Sequence, residues 1–295
     1  MGDRLIRGAA SARGERTALP NFVVIGAMKA GTSSLWEYLK GHPQVFMCLP
    51  KEPSFFTEAG TWSRGRGWYE SLFRGAGDAI AVGEASTTYT RHPTHSGVPA
   101  RIASVIPGAR LIYVVRDPIE RIRSHYQYRT DRGLERRPLA EAVLEHPDYV
   151  DYSRYASQID RCLDWFPKDR LLVVTSEDLR DDRKRTVGRV FRFLGVDPDW
   201  VSPGIDAHHN VTDRREPRPF ARRLRRVVGY RRIARGVPPA VRSAYRRVAR
   251  RKRGAGNGSD LIPADVRREL ERRLAEDVMG LRPFLGDRFH GWGIA

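Results

Sequence analysis

Cysteine is almost missing from this chain: its 295 residues include 2, Cys48 and Cys162. Two thiols cannot build a disulfide framework or a Cys-based zinc site, so both are expected as reduced, packed side chains, one on a strand and one on a helix. Long apolar runs are also missing. No stretch approaches the roughly 18 apolar residues of a membrane-spanning helix. Met1 to Pro20 carries Arg4, Arg7, Arg13 and Arg16 but no apolar segment of the secretory kind. The sequence is therefore expected to be neither a secreted precursor nor a membrane-spanning protein. No cluster has metal-ligand spacing, and no metal is expected. Acidic residues are few, 35 against 53 Lys and Arg, which gives a formal charge of +18.

That charge is local. From Arg214 to Arg253, 17 residues are basic and one, Glu216, is acidic, so this stretch holds +16 of the +18. The remainder is nearly neutral, and a 40% hydrophobic share excludes disorder throughout and allows a sizeable core. A nucleic-acid-binding protein is the reading the total charge invites. The excess of basic residues lies outside the α/β core and forms no recognisable nucleic-acid motif, so no specific nucleic acid is expected as a partner.

Apolar, β-branched runs at Asn21–Ile25, Arg110–Val115 and Leu171–Thr175 read as buried parallel strands. Helical spacing follows at Ser33–Lys40, from Pro118 to about Asp131, at Asp151–Phe166 and at Lys184–Leu194, the last ended by Gly195. Alternation of this kind predicts an α/β fold, P-loop-NTPase-like, with a mostly parallel sheet and helices on both faces of a single domain. Residues 1–20 are expected as a flexible tail and 21–205 as the α/β core. Residues 206–260 are expected as a basic helical segment and linker, and 261–295 as a C-terminal helix and tail that complete the domain.

The loop after the first strand reads Gly26-Ala27-Met28-Lys29-Ala30-Gly31-Thr32-Ser33-Ser34. A Gly loop running into a helix presents backbone N–H groups and a positive dipole end to an anion. Gly26 and Gly31 have the separation of a phosphate-binding loop of the G-x-x-x-x-G-K-[ST] type, but Thr32 holds the lysine position. Lys29 lies three residues earlier, which argues against an ATP or GTP phosphotransferase. A second anion site is expected where Arg116 leaves the strand 110–115, with Ser124 about two helical turns further on.

Together the two segments resemble the sulfotransferases that use 3′-phosphoadenosine 5′-phosphosulfate (PAPS). Lys29-Ala-Gly-Thr-Ser-Ser-Leu35 matches that family's K-x-G-T-x-x-L loop for the 5′-phosphosulfate. Arg116 through Ser124 matches its R-D-P-x-E-R-x-x-S segment for the 3′-phosphate. Further likenesses point to the branch of heparan-type (carbohydrate) sulfotransferases and their bacterial relatives. Lys51-Glu52-Pro53-Ser54-Phe55-Phe56 resembles K/N-E-x-x-F-F, Gly67-Trp68-Tyr69 with Phe73 resembles a W-Y pattern, and Gly83-Glu84 to Tyr89 resembles E-K-T-P-x-Y.

The resemblance implies PAPS as the sulfuryl donor, held by Lys29, Ala30, Gly31, Thr32, Ser33 and Ser34 at one end and by Arg116 and Ser124 at the other. It implies Glu52 as the base for the acceptor proton and Lys29 as a catalytic cation. Phe55 and Phe56 are expected to desolvate Glu52. Taken alone, Glu52 beside Lys51 reads as a surface ion pair. Ala85 stands where the branch has a lysine after the glutamate, so a second cation is missing from that position. Glu84 is either an acid near the acceptor or a structural residue.

Arg214 and Arg215 are candidates for a loop over the 3′-phosphate, while His208 and His209 read as polar loop residues. Residues 218–253 carry apolar and basic residues at helical spacing, a pattern suited to an anionic membrane, an acidic acceptor or a solvated helix face. The acceptor is expected to be a carbohydrate, a glycolipid or another small molecule with a hydroxyl or amine. The expected setting is a bacterial cytoplasm, with peripheral contact at the inner membrane surface as its extension. A P-loop kinase is the alternative enzyme.

Overall fold

A computed structural model describes residues 19–201 and 261–294. The elements in chain order are β1 (Phe22–Gly26), α1 (Thr32–Gly41), β2 (Val45–Met47), α2 (Gly65–Ser71), β3 (Ala81–Ala85), α3 (Val98–Val105), β4 (Arg110–Val115) and α4 (Pro118–Asp131). They continue with α5 (Leu139–Glu145), α6 (Pro147–Asp151), α7 (Tyr155–Leu163), β5 (Leu171–Thr175), α8 (Ser176–Asp181), α9 (Arg183–Leu194) and α10 (Ala264–Met279). The expectations placed on residues 1–18 and 202–260, including His208, His209, Arg214, Arg215 and the basic segment, lie outside the described residues.

The five strands form one parallel sheet in the order β2-β3-β1-β4-β5, flanked by helices. Every residue of β1 is buried, which is why its run of Phe, Val, Val and Ile needs no polar alternation. The chain passes to one side of β1 for β2 and β3, then crosses to its other side for β4. The C-terminal ends of β3, β1 and β4 therefore meet at a topological switch point, the position where open α/β sheets hold ligands.

β3 is the strand the sequence reading did not anticipate. Ala81-Val-Gly-Glu-Ala85 contains a glycine and a glutamate, yet all five residues are buried. Gly83 is required by close packing: a Cβ there would overlap the ring of Phe22 on the neighbouring strand. The glutamate is accommodated by hydroxyl donors described below.

The helix expected over Asp151–Phe166 is α7, which starts four residues later, at Tyr155, and Asp151 is the last residue of a separate helix, α6. Arg121 is completely buried, and its Nη2 donates to the Tyr149 carbonyl at 2.7 Å while its Nε donates to Ser153 Oγ at 2.7 Å. The carbonyl of Tyr149 also accepts from Ser153 Oγ at 3.0 Å. These side-chain bonds compete with continued helix at 149–153. A remote carboxylate then starts α7: Asp277 of α10 accepts from the N–H groups of Ala156 and Ser157 at 3.0 and 2.8 Å. α10 is held in turn by a second apolar cluster, in which Leu270, Leu274 and Val278 pack with Ile119 and Ile122 of α4 and Val143 of α5.

Cys48 and Cys162 are both buried free thiols. Among the described residues, no helix is long and apolar enough to cross a membrane.

Candidate active site

The loop from β1 to α1 enters its helix through two left-handed residues, Lys29 at φ 71° and Gly31 at φ 95°. At Gly31 any side chain would be strained, so glycine is needed to turn the chain into α1. No side chain caps α1. The N–H of Ala30 donates to the Ala27 carbonyl at 3.2 Å and that of Ser34 to the Gly31 carbonyl at 3.0 Å, so the N–H groups that present the positive end of the helix dipole are those of Gly31, Thr32 and Ser33.

Arg116 leaves β4 beside this loop, and its Nη1 donates to the Lys29 carbonyl at 3.3 Å. Asp117 sets the direction of α4 by capping it, accepting from the N–H groups of Ile119 and Glu120 at 2.8 and 3.2 Å, with Pro118 in the first turn. Glu120, Ser124 and Tyr128 follow one another at four-residue intervals and so share one stripe of α4. Glu120 pairs with Arg116 at 3.4 Å, and the Lys29 ammonium sits 5.3 Å from the Tyr128 ring centre. Ser124 lies between Glu120 and Tyr128 on this stripe, and the present partner of Arg116 is Glu120.

Glu52 approaches from the other side. After β2 the chain continues alongside β3, with Cys48 N–H donating to Gly83 O at 2.9 Å and Glu52 N–H to Ala85 O at 3.0 Å. Glu52 itself is left-handed at φ 61° and Ser54 at φ 53°, a local strain of the kind that collects at functional sites. The Glu52 carboxylate receives the Thr87 hydroxyl at 3.4 Å, and Thr87 is bound in turn by Arg91, whose Nη2 reaches its Oγ1 at 3.0 Å. Lys51 lies 4.0 Å from Glu52 and donates to Ser33 Oγ, in the first turn of α1, at 2.6 Å. This contact ties the Glu52 segment to the anion loop.

The aromatic flank expected to desolvate Glu52 encloses a different carboxylate. Phe55 stacks on Tyr69 at 4.3 Å, and Phe56 packs edge-on against Tyr69 and Tyr89. The Glu52 side chain is 40% exposed, whereas Glu84 is completely buried. Glu84 Oε1 accepts from the Tyr69 and Tyr89 hydroxyls at 2.9 and 2.7 Å, and Oε2 accepts from Ser86 Oγ at 2.7 Å. Burial raises its pKa to about 7, against the lowering effect of those three hydrogen bonds. Ser86 Oγ also accepts the Ser54 N–H at 3.0 Å, so this buried acid is linked through one hydroxyl to the strained loop that carries Glu52. Of the two roles open from sequence, the geometry gives Glu84 the structural one.

Some neighbours are not legible in the sequence. Thr87, Arg91 and Tyr128 join the site through tertiary contacts, as does the bond from Lys51 to Ser33. Tyr155 is fully buried against Tyr113 and belongs to the core.

A parallel five-stranded sheet flanked by helices, with an uncapped helix behind a left-handed Gly loop after its β1 strand, defines an α/β protein of the P-loop-like class. The chain belongs to the sulfotransferase domain family, whose model matches residues 19–211. It is 32% identical over 191 residues to human heparan sulfate glucosamine 3-O-sulfotransferase 6, across 61% of this chain and 54% of that protein. It is 30% identical over 202 residues to the mouse bifunctional heparan sulfate N-deacetylase/N-sulfotransferase 4, across 62% of this chain and 23% of the relative. The matched region thus spans about half of the first relative's length and about a quarter of the second's. A crystal structure of a sulfotransferase from Alicyclobacillus acidocaldarius shares the fold, with a TM-score of 0.67 and 24% identity over 94% of this chain and 99% of that one.

Proposed function

We propose that the protein moves a sulfuryl group from PAPS to a hydroxyl or amine of a carbohydrate, a glycolipid or another small acceptor. The observation that carries this reading is the junction of the two anion-binding segments. The Lys29 loop and Arg116 leave adjacent strands at the switch point and touch through the 3.3 Å bond from Arg116 to the Lys29 carbonyl. A donor with phosphates at the 3′ and 5′ positions of one ribose needs two such sites close together. Thr32 in place of a phosphate-loop lysine disfavours the kinase alternative.

In this reading Lys29 and the N–H groups of Gly31, Thr32 and Ser33 hold the 5′-phosphosulfate, while Arg116 and Ser124 hold the 3′-phosphate. The reaction breaks the bond between sulfur and the bridging oxygen, whose electron pair stays on the departing phosphate. A bond forms between sulfur and the acceptor oxygen or nitrogen, and the acceptor proton passes to Glu52. Cations and helix N–H groups fixed beforehand stabilise the charge that grows on the departing phosphate. A positioned carboxylate removes the proton as the new bond forms. The named substrates of the two relatives, heparan sulfate and its glucosamine, favour an amino-sugar glycan as acceptor.

The test is Glu52→Gln. It is expected to bind adenosine 3′,5′-bisphosphate within a few-fold of the parent protein and to lose on the order of 100-fold or more of transfer from PAPS to a glucosamine-containing glycan. Normal turnover in this variant would remove Glu52 from the mechanism.

A further inference from the structure

We propose that Lys51 supplies the second cation for the 5′ end of the donor, acting from the Glu52 segment in place of a lysine at position 85. This rests on the PAPS reading above. Three observations place it there. Lys51 Nζ lies 2.6 Å from Ser33 Oγ, on the first turn of the uncapped helix α1, so the ammonium is held at the mouth of the anion loop. It lies 4.0 Å from the Glu52 carboxylate, so the base and the cation share one short segment. The backbone of that segment is fastened to the vacated position itself, since Glu52 N–H donates to the carbonyl of Ala85, whose methyl side chain is buried and carries no charge.

A lysine reaching in from residue 51 thus enters the site next to the end of β3, adjacent in the chain to Glu52, whose N–H is bonded to the strand position that lacks a cation. Its side chain is 21% exposed, sheltered enough for its charge to act at higher strength than on an open surface. An ammonium is a compact charge on a flexible stem, able to donate to Ser33 and to turn toward a phosphate oxygen arriving at the same helix end.

During transfer Lys51 gives up no proton. The sulfur–oxygen bond breaks, its electron pair localises on the bridging oxygen of the 5′-phosphate, and Lys51 donates a hydrogen bond to that developing charge. The acceptor proton goes to Glu52 as before. The pairing with Glu52 has a second consequence: the carboxylate that must accept a proton and the cation that must meet an anion compensate each other in the free protein, so neither charge stands isolated before the donor arrives.

The experiment compares the full chain with Lys51→Met and Lys51→Arg, using two probes, adenosine 3′,5′-bisphosphate and adenosine 3′-monophosphate, by titration calorimetry. A cation at the 5′ end predicts that Lys51→Met weakens the bisphosphate about tenfold or more and leaves the 3′-monophosphate within about twofold, the size expected for losing one charge-assisted hydrogen bond. Lys51→Arg is expected to stay within about threefold on both probes. The same Lys51→Met protein should release adenosine 3′,5′-bisphosphate from PAPS at least tenfold more slowly.

Equal weakening of both probes would assign Lys51 a structural role and overturn the proposal, as would unchanged bisphosphate affinity and release rate. If the unsubstituted chain binds neither probe, the donor reading itself fails and Lys51 falls with it. That result is distinguishable because it appears before any substitution is made.

Discussion

Glu84→Gln isolates a completely buried carboxyl near the end of β3. The carboxyl is completely buried between Tyr69, Tyr89 and Ser86, and burial moves its pKa from an ordinary 4.5 to about 7. Between those two pH values the folded chain holds a proton that the unfolded chain has released, so raising the pH through this window favours unfolding. At about 1.4 kcal/mol per pH unit, the full gap corresponds to roughly 3 kcal/mol, lost progressively from pH 4.5 to about 7 and level above it.

An amide at this position reproduces the neutral acid. Its carbonyl accepts the two tyrosine hydroxyls, its NH₂ donates to Ser86 Oγ, and it does not titrate. The difference in stability between the parent protein and Glu84→Gln, followed by urea denaturation from pH 4.5 to 8.5, should therefore fall by roughly 3 kcal/mol in favour of the variant as the pH rises. In thermal melts the same difference corresponds to roughly 6–12 °C. Titrating groups that do not interact with Glu84 cancel in the difference. A flat difference curve would refute the argument, because it would mean that Glu84 keeps an ordinary pKa in spite of its burial.

Two further expectations follow from close contacts elsewhere. Gly83→Ala forces a methyl into the Phe22 ring at the centre of the sheet, and overpacking of this kind costs about 1–3 kcal/mol. A lowered urea midpoint with an unchanged denaturant slope is the expected signature, and an unchanged midpoint would show that β1 and β3 are less closely packed than described. Arg116→Ala should weaken adenosine 3′,5′-bisphosphate by roughly 10- to 100-fold while leaving adenosine 5′-monophosphate nearly unaffected, because one charged hydrogen-bonding group is lost only at the 3′ end. Equal loss for both nucleotides would place Arg116 elsewhere on the donor.

What was legible in the sequence was what local chemistry decides. β4 and β5 carry apolar runs rich in β-branched residues, and α4 announces itself through Asp117 and Pro118. Lys29 and Arg116 were readable because each follows its strand within a few residues. β3 was not, because its Gly83 and Glu84 make sense only beside Phe22 of β1 and the hydroxyls of Tyr69 and Tyr89. The break between α6 and α7 depends on Arg121 and on a cap from Asp277, 120 residues further along.

The Phe55-Phe56 pair was readable as an aromatic flank, but the carboxylate it encloses was misassigned. Sequence proximity favoured Glu52, and the fold places Glu84 there instead. Lys51 was legible only as a partner for Glu52, because its other neighbour, Ser33, is 18 positions earlier and meets it across the switch point.

The central claim, that the Lys29 loop and Arg116 together receive a nucleotide with phosphates at both its 3′ and 5′ positions, is tested most directly by thermal-shift titration of the full chain with adenosine 3′,5′-bisphosphate beside ATP. Stabilisation by the bisphosphate, about 2.7 kcal/mol at a hundredfold excess over Kd, with little or none from ATP at the same concentration, is the expected result. Stabilisation by ATP alone, or by neither nucleotide, would contradict the account.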